Sequence, residues 1–554
     1  MSPASTPSAK KKQVELAQVR DLLRSLIAEG RSDEAIDMAL AMLGQLEAHN
    51  RELLLRLELL RKEQSGRRSE RMDPAQLSLM LELLGPSPEE EEKDRAETAS
   101  DDEALTSERK ALEAEESEPA RGVARRRRPS RALPRKVILH QLSEEERRCD
   151  GCGKTMVAIG ADVSELVELV PAHFLVEEHR REKYACGRCK DTVKTAPGPS
   201  KLIEKGLAGP GLLAHLAVSK YEQHLPLTRL AEIYRRGGYE TSVSTLCDWV
   251  TAVAGEVEPI VDRIWEKARA SAQLSMDGSG LKVLDRDDPA GIRRGTMWCY
   301  VGDRRYVVFR YSRGGSGEEG PWSHLEGREG YLQADASNVF DRLYDGQRAQ
   351  AIEIGCWSHG RRKYYDLVDS DARVAYPLQL IGQLYRVEDL ADRRGLDPPQ
   401  RLELRKSRSR GITERYRRWI VRTLALEPPA SVLSKACAYS FNHWTALTRF
   451  LDDGALPLDN NLCEQQIRSL ALGRRNYLFA GSDAGAERAA ILYSLIRTCA
   501  LHRVDAFAYL TDVLRKLAEG WPHRRLEELL PENWSPSPAP AGPDTTEAEA
   551  PTAE

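Results

Sequence analysis

The stretch AQLSMD, residues 272–277, decides the reading of this chain. It has the length and alternation of a short strand, and it ends in an isolated acid, Asp277. A second run, GYLQAD at residues 330–335, repeats the pattern and ends in Asp335. Between them lie GTMWCYVG (295–302) and RYVVFRYS (305–312), two β-rich segments separated by a turn at Asp303-Arg304. A short helical connection leads into GYLQAD. After Asp335 come NVFDRLYDG (338–346), read as a helix, and the apolar run AIEIGCW (351–357). The expected order is strand, strand, strand, helix, strand, helix, strand.

That order is the order of a ribonuclease-H-like fold. There the first and fourth strands are neighbours, so Asp277 and Asp335 come together although 58 positions separate them. A third acid stands in LDNNLCEQQIRSLALGRRNYLFAGSDAG, residues 458–485. If Asp459 or Asn460 caps a helix there, Asn460, Glu464 and Arg468 share one face, with Cys463, Ile467 and Leu470 as an apolar stripe beside it. A Glu/Arg pair on a solvated helix is the plain alternative. Two strand-end carboxylates and one from a helix can hold two divalent ions about 3.5 to 4 Å apart, the requirement for in-line displacement at phosphorus. The chemistry expected is that of a nuclease or polynucleotidyl transferase.

With 554 residues the chain is too long for one core, and three or four domains are expected. Its net charge of -4 conceals segregation. Residues 89–118 hold fourteen acids against four cations, and residues 121–136 hold eight cations, including Arg125, Arg126, Arg127 and Arg128, and no acid. Both stretches are poor in large apolar residues, so residues 86–136 are expected to be a disordered linker, acidic and then basic. The arginine run suits contact with DNA phosphates as well as a solvated arm. The first residues, MSPASTPSAKKKQ, contain no apolar signal core, and no segment approaches eighteen unbroken apolar residues. A soluble, cytoplasmic, nucleoid-associated protein is expected, without a membrane partner.

Residues 12–85 form an N-terminal helical region in this reading. Leu46, Leu53 and Leu60 recur every seven residues, and Ile36, Leu43, Asn50 and Leu57 fill the companion heptad position. A leucine zipper with one buried Asn favours a parallel homodimer or a higher oligomer, and an amphipathic helix packed on its own domain is the alternative. Cys149-x-x-Cys152 and Cys186-x-x-Cys189 then define a zinc ribbon over residues 137–198, since two Gly-rich knuckles aim four thiolates at one structural Zn2+. Residues 199–268 read as helical. Thr228 to Arg235, a turn at Gly237-Gly238 and a helix from about Ser244 have the spacing of a helix-turn-helix, and equally of a scaffolding pair. Residues 269–375 are the first part of the catalytic domain, 376–451 an all-helical insertion, 452–534 the second part with C-terminal helices, and 535–554 a disordered tail.

Five features together resemble the bacterial insertion-sequence-66 transposase family, the large subunit of TnpC type. They are PLDNNLCEQQIRSLALGRRNYLFAGSDAGAERAAILYSLIRT, CWSHGRRKYYD, the two knuckles, HLPLTRLAEIYRRGGYETSVSTLCDWV and LEELLPENW. The resemblance implies a multidomain α+β DDE transposase. In it Asp277, Asp335 and Glu464 would bind two Mg2+ ions, with Mn2+ able to substitute, in a ribonuclease-H-like domain interrupted by the insertion. Water would cut each transposon end, and the freed 3′-OH would attack target DNA. The terminal repeats and the target are then the DNA partners, and small accessory proteins of the same element are implied as well. The chain departs from the pattern at Gln465, where Arg is usual, and at Gly278-Ser279, where Glu-Thr is usual.

Further cations surround this centre. His359, with Arg361 and Arg362, opens the helix after the fifth strand and would contact the scissile phosphate, orient an acid or serve the core. Arg468, Arg474, Arg475 and Asn476 are DNA-binding candidates, the last three expected in a cationic loop after the Glu464 helix. A nuclease without strand transfer fits the same acids. A DNA-binding regulator with a vestigial catalytic domain fits the binding modules.

Overall fold

The structure, a computed structural model, describes residues 24–25, 31, 36, 88–116, 151–152, 154–156, 173–185, 193–315, 317–335, 338–346 and 348–536. The zipper apart from Ile36, the run Arg125 to Arg128, Cys149, Cys186, Cys189 and most of the C-terminal tail lie outside these residues. A small antiparallel pair, β1 (Lys183–Ala185) and β2 (Val193–Thr195), belongs to the ribbon segment.

A five-stranded mixed sheet sits at the centre. β3 (Gln273–Leu284), β4 (Ile292–Gly302) and β5 (Tyr306–Ser312) form an antiparallel meander, and β6 (Glu329–Gln333) and β7 (Gln350–Ile354) add in parallel beyond β3. The order β5-β4-β3-β6-β7 makes the first and fourth large strands neighbours, as expected. The β4–β5 turn places Asp303 and Arg304 at φ 44° and 58°, the left-handed geometry of tight hairpins. Asp303 tolerates it because its carboxylate accepts the Gln273 amide at 3.0 Å.

Two expectations change here. β3 does not end at Asp277 but runs on to Leu284, because Gly278 and Gly280 keep pairing with β4 and the far end is extended by Ala480, whose amide reaches Lys282 O at 2.8 Å. The helix expected at residues 338–346 is a 3-10 helix over Asn338–Leu343.

Helices α2 (Pro210–Tyr221), α3 (Leu227–Arg236) and α4 (Val243–Ala270) precede the sheet. The helix pair with a Gly turn is therefore present, and Ser242 caps α4 by accepting the Thr245 amide at 3.0 Å. Past its first turn α4 serves the core: Trp249, Val253, Val257, Ile260 and Ile264 are buried in the same apolar cluster as the sheet. Among the described residues no helix is long and apolar enough to cross a membrane.

A second core separates out over the insertion. α5 (Trp357–Tyr365), α6 (Ala375–Arg393), α7 (Pro398–Leu404), α8 (Arg410–Leu426) and α9 (Val432–Asn442) bury Trp357, Leu380, Leu384, Tyr416, Ile420 and Phe441 together. This core also takes in Ile354, Leu456 and Leu458, so it reaches beyond the expected limits of 376–451 at both ends. Arg405, fully buried, holds the exit: it pairs with Glu388 at 2.7 Å and donates to the carbonyls of Phe450, Asp453 and Leu456 at 2.9 Å each. The chain then returns through α10 (Asn461–Tyr477), α11 (Asp483–Leu501) and α12 (Ala506–Ala518).

The expected disordered linker is corrected over its acidic half. Pro88–Glu116 is a 29-residue helix, α1, laid against the insertion. Low apolar content does not keep this segment unfolded, because a row of arginines from α6 to α8 supplies its partners and Leu105 enters the second core.

Candidate functional site

Register positions the first two acids. Ser275 pairs with Gln333 across β3 and β6, and both acids lie two residues further along their chains, so Asp277 and Asp335 come at the same height on adjacent segments. Both are half-buried. A buried polar chain holds the two strands in this register: Gln273 Nε2 donates to Ser275 Oγ at 2.8 Å and Ser275 Oγ to Gln333 Oε1 at 3.2 Å. Gln333 Nε2 in turn reaches Gly355 O at 3.2 Å, which ties in the end of β7.

Glu464 arrives on the first turn of α10. The start of that helix is fastened to β3 by Asn460, whose Nδ2 donates to Met276 O at 2.8 Å and whose backbone amide meets Cys356 Sγ at 3.3 Å. Of the two expected caps, Asn460 holds the cap position but spends its side-chain amide on the strand, and Asp459 Oδ1 accepts the Asn461 amide at 3.0 Å. Cys463, Ile467 and Leu470 form the buried stripe anticipated for this helix.

Asp277 feels the other two acids. Burial pushes the Asp277 carboxyl up to about 6; the Gly278 amide opposes this, and the charges of Asp335 and Glu464 add to it. Glu464 Oε1 is buried without a hydrogen-bond partner, 3.9 Å from His359 Nδ1, itself buried and unbonded. Cys356, His359 and Glu464 have ligand atoms within 4.8 Å of one another. Asp277, Asp335 and Glu464 do not close to that separation. Burial raises the Cys356 thiol to about 12, so it stays protonated and serves the α5–α10 junction. The charges of Asp335 and Glu464 reach Asp277, so the three carboxylates are neighbours, oxygen donors of the kind a hard divalent cation takes, although they stand further apart than the ligands of one ion.

Other candidates fall around this edge. Arg361 and Arg362 are exposed on α5, and Arg468 and Gln465 are exposed on α10. Arg474, Arg475 and Asn476 are not a loop: α10 continues through Tyr477, and they form its last turns, about 15 Å along the axis from Glu464. The helix passes Gly473 because that position is packed under the Tyr477 and Tyr493 hydroxyls. Arg474 is held to Gly280 O, and Arg475 and Asn476 are exposed. Trp298 and Trp357 are core. Cys152, the described ribbon cysteine, is exposed.

Sequence reasoning missed Gln333 and, with Asp459 or Asn460 offered as the cap, did not foresee the bond from Asn460 to β3. A polar residue inside the otherwise apolar GYLQAD run, two positions before the acid, was the available signal for the first.

Comparison with known proteins shows the family. Residues 205–488 match the Transposase IS66 family, residues 146–190 the zinc-finger binding domain of transposase IS66, and residues 494–531 the IS66 C-terminal element. Two uncharacterized proteins of Sinorhizobium fredii are similar. y4hP is 32% identical over 509 residues, covering 87% of this chain and 88% of its own length, and y4qI is 34% identical over 413 residues, covering 72% and 76%. The chain, with its zinc-finger domain, its mixed sheet and its C-terminal element, belongs to the IS66 transposase family.

Proposed function

We propose that this transposase is a DDE enzyme that cuts DNA at transposon ends and joins the freed ends to target DNA, with Asp277, Asp335 and Glu464 as its catalytic carboxylates. The observation that carries this reading is the shared height of Asp277 and Asp335 on β3 and the chain after β6, with Glu464 brought to the same edge by Asn460. A meander of three strands followed by two parallel ones, interrupted before the third acid by a helical insertion, supports a ribonuclease-H-like domain.

Two divalent cations, Mg2+ or Mn2+, held by the three carboxylates would activate the attacking oxygen and stabilise the leaving one. The chain's own residues prepare that site. Asn460 and the Gln273–Ser275–Gln333 chain fix the carboxylates before substrate arrives, so little reorganisation is left to the reaction. His359 stands 3.9 Å from Glu464, close enough to act on it or on a phosphate, and Arg468, Arg475 and Asn476 lie along the exposed side of α10 where DNA backbone would run. The zinc ribbon serves structure and DNA contact, and the N-terminal zipper pairs two chains across two ends. The enzyme acts at the nucleoid, with accessory proteins of its own element.

The test is a reaction of purified protein with a labelled transposon-end duplex and Mg2+, comparing wild type with Asp277→Asn, Asp335→Asn and Glu464→Gln. Nicked and joined products should vanish in each variant while end binding persists. Nicks without joining in the wild type would favour a nuclease, and robust cleavage by a variant would remove that residue from the site.

A further inference from the structure

The insertion presents a row of arginines that the phosphoryl-transfer chemistry does not use, and α1 covers it. Arg418 grips Asp94 with two bonds, at 2.8 and 2.5 Å. Arg415 reaches Asp101 at 2.5 Å and Glu97 at 3.4 Å. Arg408 and Arg394 converge on Glu108 at 2.8 and 3.2 Å, Arg422 meets Glu91 at 2.5 Å, and Arg386 pairs with Asp102. Asp94, Asp101 and Glu108 recur every seven residues, so the helix offers anions in a line, spaced by about 10 Å.

Three features separate this contact from ordinary helix packing. Every cation in these pairs is an arginine, whose planar fork suits phosphate as well as carboxylate. The apolar share is small: Leu105 is buried and Leu112 partly so, on a helix of thirteen acids and four cations. Most of the pairs are partly exposed, where each contributes about 1 kcal/mol or less and is screened by salt. Helix α6, which supplies Arg386, also touches the candidate site, on another of its faces. Arg386 sits beside Tyr385 on α6, and the Tyr385 hydroxyl is hydrogen-bonded to Asp459, at the entry to α10.

We propose that this arginine face is a docking surface for the phosphate backbone of duplex DNA, and that α1 occupies it as an internal polyanion which DNA displaces. A polyphosphate chain meets the same forks with a denser line of charge than the helix provides, and it gains the release of its counterions, which α1 does not. The surface is independent of whether Asp277, Asp335 and Glu464 bind metal.

The experiment uses the full-length, zinc-loaded chain without Mg2+ and a random-sequence duplex lacking terminal repeats. Neutralising α1 by Asp94→Asn, Asp101→Asn, Asp102→Asn and Glu108→Gln together should tighten binding about tenfold or more at physiological salt. It should also steepen the salt dependence by about 0.9 for each phosphate newly engaged. In the wild type, saturating duplex should raise amide exchange along α1 and lower it along α8, a measurement that stands even if the neutralised variant folds poorly. Unchanged or weaker binding by a folded variant would overturn the proposal. So would α1 protection that ignores saturating DNA, or displacement of α1 by polyglutamate but not by duplex.

Discussion

Asn460 donates from Nδ2 to the carbonyl oxygen of Met276 at 2.8 Å, tying the residue before α10 to the residue before Asp277. Its Oδ1 is buried without a hydrogen-bond partner. One amide therefore sets the separation between an acid on the sheet and an acid on a helix 187 positions later in the chain.

Asn460→Ala should lower stability by about 1–3 kcal/mol, the penalty for stranding a buried carbonyl. Cleavage should fall more, on the order of 10²-fold, because a small displacement of Glu464 is costly to a preorganised site. Asn460→Asp should be worse in metal-free protein, since it adds a fourth carboxylate. Parallel melting and end-cleavage assays separate the two effects. Cleavage that falls only in proportion to the folded fraction would make Asn460 a structural residue alone.

The raised Asp277 carboxyl predicts a pH signature for metal-free protein. Its value is about 6 in the fold and 3.8 without it, so between these the native state holds more proton and stability falls as pH rises. Above about 6 the penalty is complete, on the order of 1–2 kcal/mol for a half-buried group. Asp277→Asn should therefore melt above wild type at neutral pH, and the gap should close as the pH falls from 6 towards 3.8. Mg2+ should raise the melting temperature of wild type and not of the variant. A wild type indifferent to Mg2+, or a variant that melts lower, would sink the idea of three repelling carboxylates.

Much of this was legible in advance because the sheet is written in apolar runs. Met297 to Val301 and Val307 to Phe309 are buried, so β4 and β5 leave an unambiguous pattern, and an isolated acid near such runs stands out. What was not legible depends on partners far along the chain. α1 has almost no apolar signal of its own, and its order comes from arginines roughly 290 to 330 positions later. The end of α10 was misread for a related reason: Gly473-Arg474-Arg475-Asn476 looks like a loop until Tyr493 of α11 packs over Gly473. The continuation of β3 past Asp277 was hidden by two glycines that are strand residues here.

Zinc should be confined to the ribbon. If Cys149, Cys152, Cys186 and Cys189 are its ligands the site is closed, so metal analysis should find a single zinc ion, lost in Cys186→Ser along with part of the DNA affinity. A second ion that disappears in His359→Ala would instead place zinc on Cys356, His359 and Glu464. Zinc would then compete with catalysis at Glu464.

The free edge of β5 is closed by hydroxyls. Thr498 Oγ1 accepts the Val307 amide at 3.1 Å, and Ser494 Oγ accepts the Phe309 amide at 2.7 Å. α11 thus does for this edge what another strand would otherwise do. Thr498→Val keeps the shape and removes the acceptor, and should destabilise by about 1–3 kcal/mol in urea unfolding. A neutral result would mean that the amide finds water, and that the edge is open.

Gly278 answers for one departure from the family pattern, in which the residue after the first acid is usually Glu. A Cβ there would stand 2.5 Å from the Trp298 ring, which lies on the paired position of β4 and donates from Nε1 to Ser312 Oγ at 2.9 Å. The indole occupies the room a side chain at 278 would need, directly beside Asp277. Gly278→Ala should therefore cost about 1–3 kcal/mol by overpacking. Trp298→Leu, destabilising alone, should cost less in that background, because the smaller residue relieves the clash. Urea unfolding of the two single variants and the double variant measures the coupling. Additive losses would show that the ring moves freely and that glycine at 278 answers some demand other than space.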